Sequence, residues 1–192
     1  MVSVTSPLLP YRLSICGLDE IAGFSRQGVT HAVSLLDPDW PDPESFSSFS
    51  GCRRMVFRFH DVIDEDEGTV APATDILRAI LEHGRELRGA RVGHLLVHCH
   101  AGVSRSTATA AILLTQFNPG RERDAFAEIA RLRPWSWPNS RMVALADELL
   151  GRGGRLVDAM RSHHARMIED WPDLAAPLRE GKRAREFLSA AR

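Results

Sequence analysis

The chain is poor in cysteine: the three it has among 192 residues, Cys16, Cys52 and Cys99, cannot all pair, and none sits at a spacing that suggests a disulfide framework or a metal site. It also lacks an excess of one charge. The formal net charge of −1 gives no global attraction to nucleic acid or to an anionic membrane. No apolar run approaches the ~20 residues a bilayer span requires. The Met1–Tyr11 stretch has no basic start and is interrupted by Pro7 and Pro10, so it reads as a poor secretory signal. Internal repeats and low-complexity tracts are absent. The expected setting is a reducing cytoplasm, which would also keep a reactive thiol active. The length fits one domain, taken as 1–150, with a helical extension over 151–192 packed on it.

What is present centres on Cys99, in the run His98-Cys99-His100-Ala101-Gly102-Val103-Ser104-Arg105-Ser106. Leu95-Leu96-Val97, after Gly93, reads as a buried strand. Ser106 to Leu114, rich in alanine and leucine, reads as a buried helix. A loop between them aims backbone N–H groups and the positive end of the helix dipole at one small volume, which suits a dianionic phosphate. A helix N-terminus and a nearby cation can bring a cysteine from its usual pKa of ~8.5 to roughly 3.5–7.5, giving the thiolate that attacks phosphorus. Arg105, with five residues between it and Cys99, can curl back with a planar fork that matches two phosphoryl oxygens. Gly102 permits backbone angles that side chains forbid. Ser106 can donate its hydroxyl toward the sulfur, and His98 can brace the strand end.

Spacing alone carries little weight, because Cys52 and Arg58 share it. There the intervening residues are Arg53, Arg54, Met55, Val56 and Phe57, bulky and without glycine, and they read as a strand. Six extended steps separate the pair by roughly 20 Å, too far for a shared phosphate.

The Cys99 loop closely resembles the signature His-Cys-x-x-Gly-x-x-Arg-Ser/Thr of the cysteine-dependent protein tyrosine phosphatases, most nearly the compact, dual-specificity-like bacterial branch. The resemblance runs from about Gly28 to Leu150. It implies that Cys99 is a nucleophile forming a phosphocysteine and that Arg105 binds the transferred group. The backbone of His100, Ala101, Gly102, Val103 and Ser104 would cradle it, and Ser106 would assist the sulfur as leaving group. No metal or cofactor is implied. The expected partner is a phosphorylated protein or peptide, with no nucleic acid or membrane. In this family the general acid is an aspartate that follows a strand some thirty-odd residues before the cysteine. Asp61 directly follows Phe59-His60 and lies 38 positions before Cys99; Asp64 lies 35 and Asp66 33 before it. The strand end favours Asp61, with Asp64 second, while Glu65, Asp66 and Glu67 read as a solvated acidic loop. A positioned acid is worth roughly 10²–10⁴-fold.

Periodicity supplies the frame. Tyr11, Leu13 and Ile15 alternate as a first strand; Asp19–Gln27 reads as a short helix, 30–36 as a strand, 41–51 as a loop and 55–59 as a strand. Ile76, Leu77, Ile80, Leu81 and Leu87 mark a helix with one buried face. Strands alternating with helices predict an α/β fold, a mostly parallel sheet with helices on both faces and the site beyond the carboxyl ends of the strands. Helices are expected at 121–133 and 141–150, joined by the stiff Pro134–Asn139 turn. Asn139 reads as a cap for the second of these helices, and the family resemblance equally implies a hydrogen-bonder behind the signature loop; Trp135 and Trp137 read as packing residues before pocket edges. After Gly151, Gly153 and Gly154, helices are expected at 155–171 and 177–192, with His163 and His164 on the surface.

Three other readings are open. One is a metal-dependent phosphohydrolase on His60-Asp61 with His31; another is sulfur transfer or arsenate reduction on a similar cysteine loop. The third is a phosphate-binding module without turnover. The loop between Cys99 and Arg105 lacks lysine, which favours phosphotyrosine, with phosphoserine or phosphothreonine in addition, over phosphoinositides.

Overall fold

The computed structural model describes residues 8–191, so the first seven residues of the Met1–Tyr11 stretch lie outside it. Four strands form one sheet in the order β1-β4-β2-β3, with every pairing parallel: β1 Arg12–Cys16, β2 His31–Leu36, β3 Arg53–Arg58 and β4 His94–His98. The central pair, β2 and β4, is buried along its whole length, as expected when both faces are covered. Alternation then divides the side chains. Val33, Leu35, Leu95 and Val97 enter the larger core, while Ala32 and Leu96 enter a smaller one with Cys16, Ile21 and Val29.

The two faces are covered differently. Against the larger core lie α1 Thr74–Gly89, α2 Arg105–Phe117, α3 Glu122–Leu132 and α4 Ser140–Leu149. The other face carries two short 3-10 helices, Leu18–Phe24 and Glu44–Ser48, the second within the stretch expected to be a loop. Helix α2 is central and buried over nearly all its length, which explains its alanine-rich, uncharged middle.

The C-terminal chain departs from expectation in two ways. Helix α5 Arg155–Asp170 packs against α3 and α4, and Leu156, Ala159 and Met160 join the main core. His163 and His164 are therefore not surface residues; they are 2% and 1% exposed. His163 Nε2 lies 3.0 Å from Ser136 Oγ, and His164 Nε2 donates to the Pro138 carbonyl at 3.1 Å. The His164 ring stacks on Trp137 at 4.0 Å between centroids. A short α6 Pro172–Ala175 stands where no helix was expected, and the helix expected at 177–192 is broken into a 3-10 turn Ala176–Arg179 and α7 Ala184–Ala190, with Pro177 and Gly181 at the interruptions.

Burial pushes His98 and His163 down to about 4, and His164 well below its usual value. These rings stay neutral in the folded chain while the unfolded chain protonates near pH ~6.5. Their contribution is complete above that pH and is lost as pH falls toward about 4, on the order of 2 kcal/mol per ring near pH ~5. Urea titrations between pH ~7 and ~5 should show a falling midpoint, with two to three protons (roughly) taken up on unfolding. A flat midpoint would contradict these neutral buried rings.

Candidate active site

The carboxyl ends of all four strands converge on one rim. β4 runs directly into Cys99, β3 is followed by Phe59, His60 and Asp61, β2 by Asp37 and β1 by Gly17. The Cys99–Ser104 loop then enters α2 at Arg105, so strand, loop and helix fall in the expected order.

Loop orientation follows from where its carbonyls go. The His100 carbonyl accepts from Leu18 N–H at 2.9 Å, and those of Ala101 and Gly102 accept from Arg133 Nη2 and Nε, each at 3.2 Å. The Val103 carbonyl accepts from Trp137 N–H at 2.9 Å and from Thr107 Oγ1 at 2.5 Å. In a trans peptide the N–H points opposite to the preceding C=O. Four carbonyls tied outward therefore turn the N–H groups of Ala101, Gly102, Val103 and Ser104 to the other side, and among the described residues none of the four donates to a protein group. With the first turn of α2 they form a cluster of donors suited to an anion.

Cys99 is 2% exposed, yet it lines a cavity of about 420 Å³ together with Asp61, His100, Ser104, Arg105 and Trp137. Its Sγ lies 3.2 Å from Ser106 Oγ. Behind it His98 is buried: Nε2 lies 2.6 Å from Ser34 Oγ, and the ring lies against Phe46 with centroids 5.4 Å apart. Cys16, on the adjacent strand, is also buried, and burial pushes its thiol up to about 12. It stays protonated where a thiolate would be needed for sulfur chemistry. Cys52 precedes β3, and Arg58 at the far end of that strand is engaged with Asp42 and the Asp37, Pro38 and Trp40 carbonyls. The second Cys–Arg pair thus builds no pocket.

Arg105 is 2% exposed and only one edge of its guanidinium is held. Nη1 donates to Asp37 Oδ1 at 2.7 Å and to the Phe59 carbonyl at 2.6 Å, whereas Nε has no partner. Asp37 thereby fixes the arginine and leaves the Nε edge for a ligand. His100 completes this corner: its Nε2 accepts from Asp37 N–H at 3.3 Å, and its ring lies on Trp40 at 4.4 Å. Burial, followed by the Arg105 charge, lowers its pKa.

Asp61 and Asp64 part company. Asp61 lines the cavity, and its Oδ1 accepts from Ser104 Oγ at 2.7 Å and Asn139 Nδ2 at 2.9 Å. Its Oδ2 has no partner among the described residues. Asp64 is exposed and pairs with Arg185 at 2.9 Å; Asp66 pairs with Lys182, and Glu65 with Arg141. Asn139 fills one of its two expected roles: its Oδ1 caps α4 by accepting from Met142 N–H at 3.1 Å, while its amide nitrogen turns elsewhere. Its target is Asp61, not the signature loop. Both tryptophans line the cavity, and Trp135, 41% exposed, is not a packing residue. His31 begins β2, at the opposite end of the sheet from His60-Asp61, and among the described residues no cluster of His, Cys, Asp or Glu suits a metal ion.

The sequence did not point to Asp37, Arg133 or Arg183. Arg133, 6% exposed and paired with Glu20 at 2.8 Å, clamps two loop carbonyls; its only sequence signal is a position just before the Pro134 turn. A somewhat larger cleft, about 480 Å³, lies between Ile63, Leu145 and Arg161 and holds neither Cys99 nor the loop.

Comparison with known proteins bears on the fold. No protein-family model matches the sequence, and no curated protein does. Solved structures do. Human DUSP28 matches at TM-score 0.55 and 20% identity over 76% of this chain and 97% of its own. The human tyrosine phosphatase-like serine/threonine/tyrosine-interacting protein matches at 0.56 and 22%, over 76% and 95%. A mouse putative dual specificity phosphatase complexed with zinc tungstate matches at 0.55 and 20%, over 80% and 92%. The chain therefore has the α/β fold of the cysteine-dependent tyrosine and dual-specificity phosphatases.

Gly102 sits at φ +71°, where a Cβ would stand 2.5 Å from the Cys16 carbonyl carbon, 2.6 Å from Gly17 N and 2.7 Å from Arg133 Nη2. Left-handed strain and overpacking together predict that Gly102→Ala costs on the order of 2–4 kcal/mol and weakens phosphate binding. A variant with unchanged melting temperature and phosphate affinity would show that the loop tolerates another path.

Proposed function

We propose that the chain is a protein phosphatase that hydrolyses phosphotyrosine, with phosphoserine and phosphothreonine as further substrates, through a phosphocysteine intermediate. The observation that carries this reading is the outward anchoring of four consecutive loop carbonyls, which turns their N–H partners toward the Cys99 cavity.

In this reading residues 1–150 are the catalytic unit. The phosphoryl oxygens accept from the loop N–H groups and from the free edge of Arg105. Cys99 Sγ attacks phosphorus while Asp61 gives its proton to the leaving oxygen. The sulfur–phosphorus bond forms as the phosphorus–oxygen bond breaks, releasing the alcohol or phenol. Asp61, now a carboxylate, takes a proton from the water that attacks the phosphocysteine. Ser106 Oγ, 3.2 Å from the sulfur, stabilises the departing thiolate. Orthophosphate leaves. No step calls for a metal or an organic cofactor. Among the described residues no helix is long and apolar enough to cross a membrane, and the cytoplasm is proposed as the setting in which Cys99 stays reduced.

Rapid mixing with an aryl phosphate should release a burst of phenol stoichiometric with protein, and Cys99→Ser should abolish it. Asp61→Ala should slow turnover roughly 10²–10⁴-fold while binding survives, and Asp64→Ala should stay near the parent rate. Turnover that persists in Cys99→Ser would end the phosphocysteine reading; loss on Asp64→Ala alone would move the acid.

A further inference from the structure

The cavity has a second arginine that the signature loop does not supply. Arg183, between the last 3-10 turn and α7, reaches back so that Nη1 lies 2.6 Å from Ser104 Oγ and 3.6 Å from Asp61 Oδ1. Its other two nitrogens are taken. Nε and Nη2 donate to the two oxygens of Glu186 at 2.5 and 2.9 Å. Glu186 is 4% exposed and also accepts from Trp137 Nε1 and Ser140 N–H, each at 2.8 Å. The guanidinium is thus locked on one edge and presents Nη1 to the cavity that Cys99 and Arg105 line. Beside it stand Met167, Ala175 and Leu178, packed with Trp137 and the loop residue Val103 in one apolar cluster, and Leu174, 56% exposed, at the mouth.

We infer that the C-terminal extension is part of the substrate site: Arg183 is a second cation for the phosphoryl group, and the apolar face beside it receives the ring of an aromatic phosphate ester. The inference rests on the phosphatase reading for its substrate, though not for its anion. Its physical basis is that a phosphate dianion spreads its charge over three oxygens, each able to accept more than one hydrogen bond, and a charged donor such as a guanidinium makes a stronger bond to them than a neutral amide. A pre-fixed arginine binds without first giving up side-chain freedom. An alkyl phosphate has no ring to lay on the wall, so the wall favours aryl esters.

Binding is measured in the full chain carrying Cys99→Ser, by calorimetry with inorganic phosphate and with phenyl phosphate. Adding Arg183→Met should weaken both ligands roughly 10–100-fold, the loss of one charged hydrogen-bonding partner. Arg183→Lys should recover part of the phosphate affinity. Leu174→Ser, at an exposed position where folding is little affected, should weaken phenyl phosphate a few-fold (~5-fold) and leave inorganic phosphate unchanged. Phosphate affinity within twofold of the parent in Arg183→Met, with a lowered melting temperature, would make Arg183 a structural clamp and overturn the proposal. So would a Cys99→Ser protein that binds no phosphate, or equal effects of Leu174→Ser on both ligands. Absence of turnover in the unsubstituted chain would instead remove the phosphatase reading, with the binding comparison still deciding the role of Arg183.

Discussion

Anchoring four successive peptide carbonyls away from the cavity governs what the rest of the site can be. A loop of six residues has no reason of its own to turn its amides the same way. Left to itself it would scatter them, and each buried orphan would carry a desolvation cost. Here the scattering is prevented from outside, by Leu18 N–H after β1, by Arg133 at the end of α3 and by Trp137 N–H in the turn before α4. Three separate parts of the chain must be folded before the loop has its shape. The left-handed glycine at 102 matters for the same reason, since the backbone passes so close to Cys16 and Gly17 that no side chain fits. A weakly held loop could still place a cysteine; it could not hold the amides around it ready in advance.

How much of this was legible in the sequence depends on chain distance. Strand, loop and helix around Cys99 are consecutive, so composition and period revealed them, and the β3 strand end brought Asp61 rather than Asp64 to the rim. The groups that position the loop arrive from far away. Arg133 reaches a carbonyl 31 residues back, Asp37 holds an arginine 68 residues on, and Arg183 meets Ser104 across 79. Nothing in a linear pattern marks such partners. The paired histidines of α5 failed for a related reason. Adjacent residues on a helix diverge by about 100°, so both are buried only if the helix is covered over a wide arc. α5 is covered in that way by α3, α4 and the turns beyond.

Arg105 and Arg183 are mounted alike. Each has a carboxylate behind it, Asp37 or Glu186, gripping part of the guanidinium, and each keeps a remaining nitrogen toward the same cavity. The grip removes rotamer entropy before any ligand arrives and moderates the cost of burying a cation. Asp61 lines the same cavity, 3.6 Å from Arg183 and tied to Ser104 and Asn139 by one oxygen only. Charges of both signs are thus interleaved around the cavity, each cation with a carboxylate beside it.

The sheet's outer border carries a consequence of another kind. β3 is an edge strand, and Arg53, Arg54 and Arg58 stud it, with Arg54 and Arg58 joined to Asp42 on the connection from β2. A border of unpaired peptide groups invites another chain to zip onto it, and a molecule with a formal net charge of −1 has little overall repulsion to keep copies apart. Guanidinium groups crowded along that margin supply, locally, the mutual repulsion that the molecule as a whole lacks.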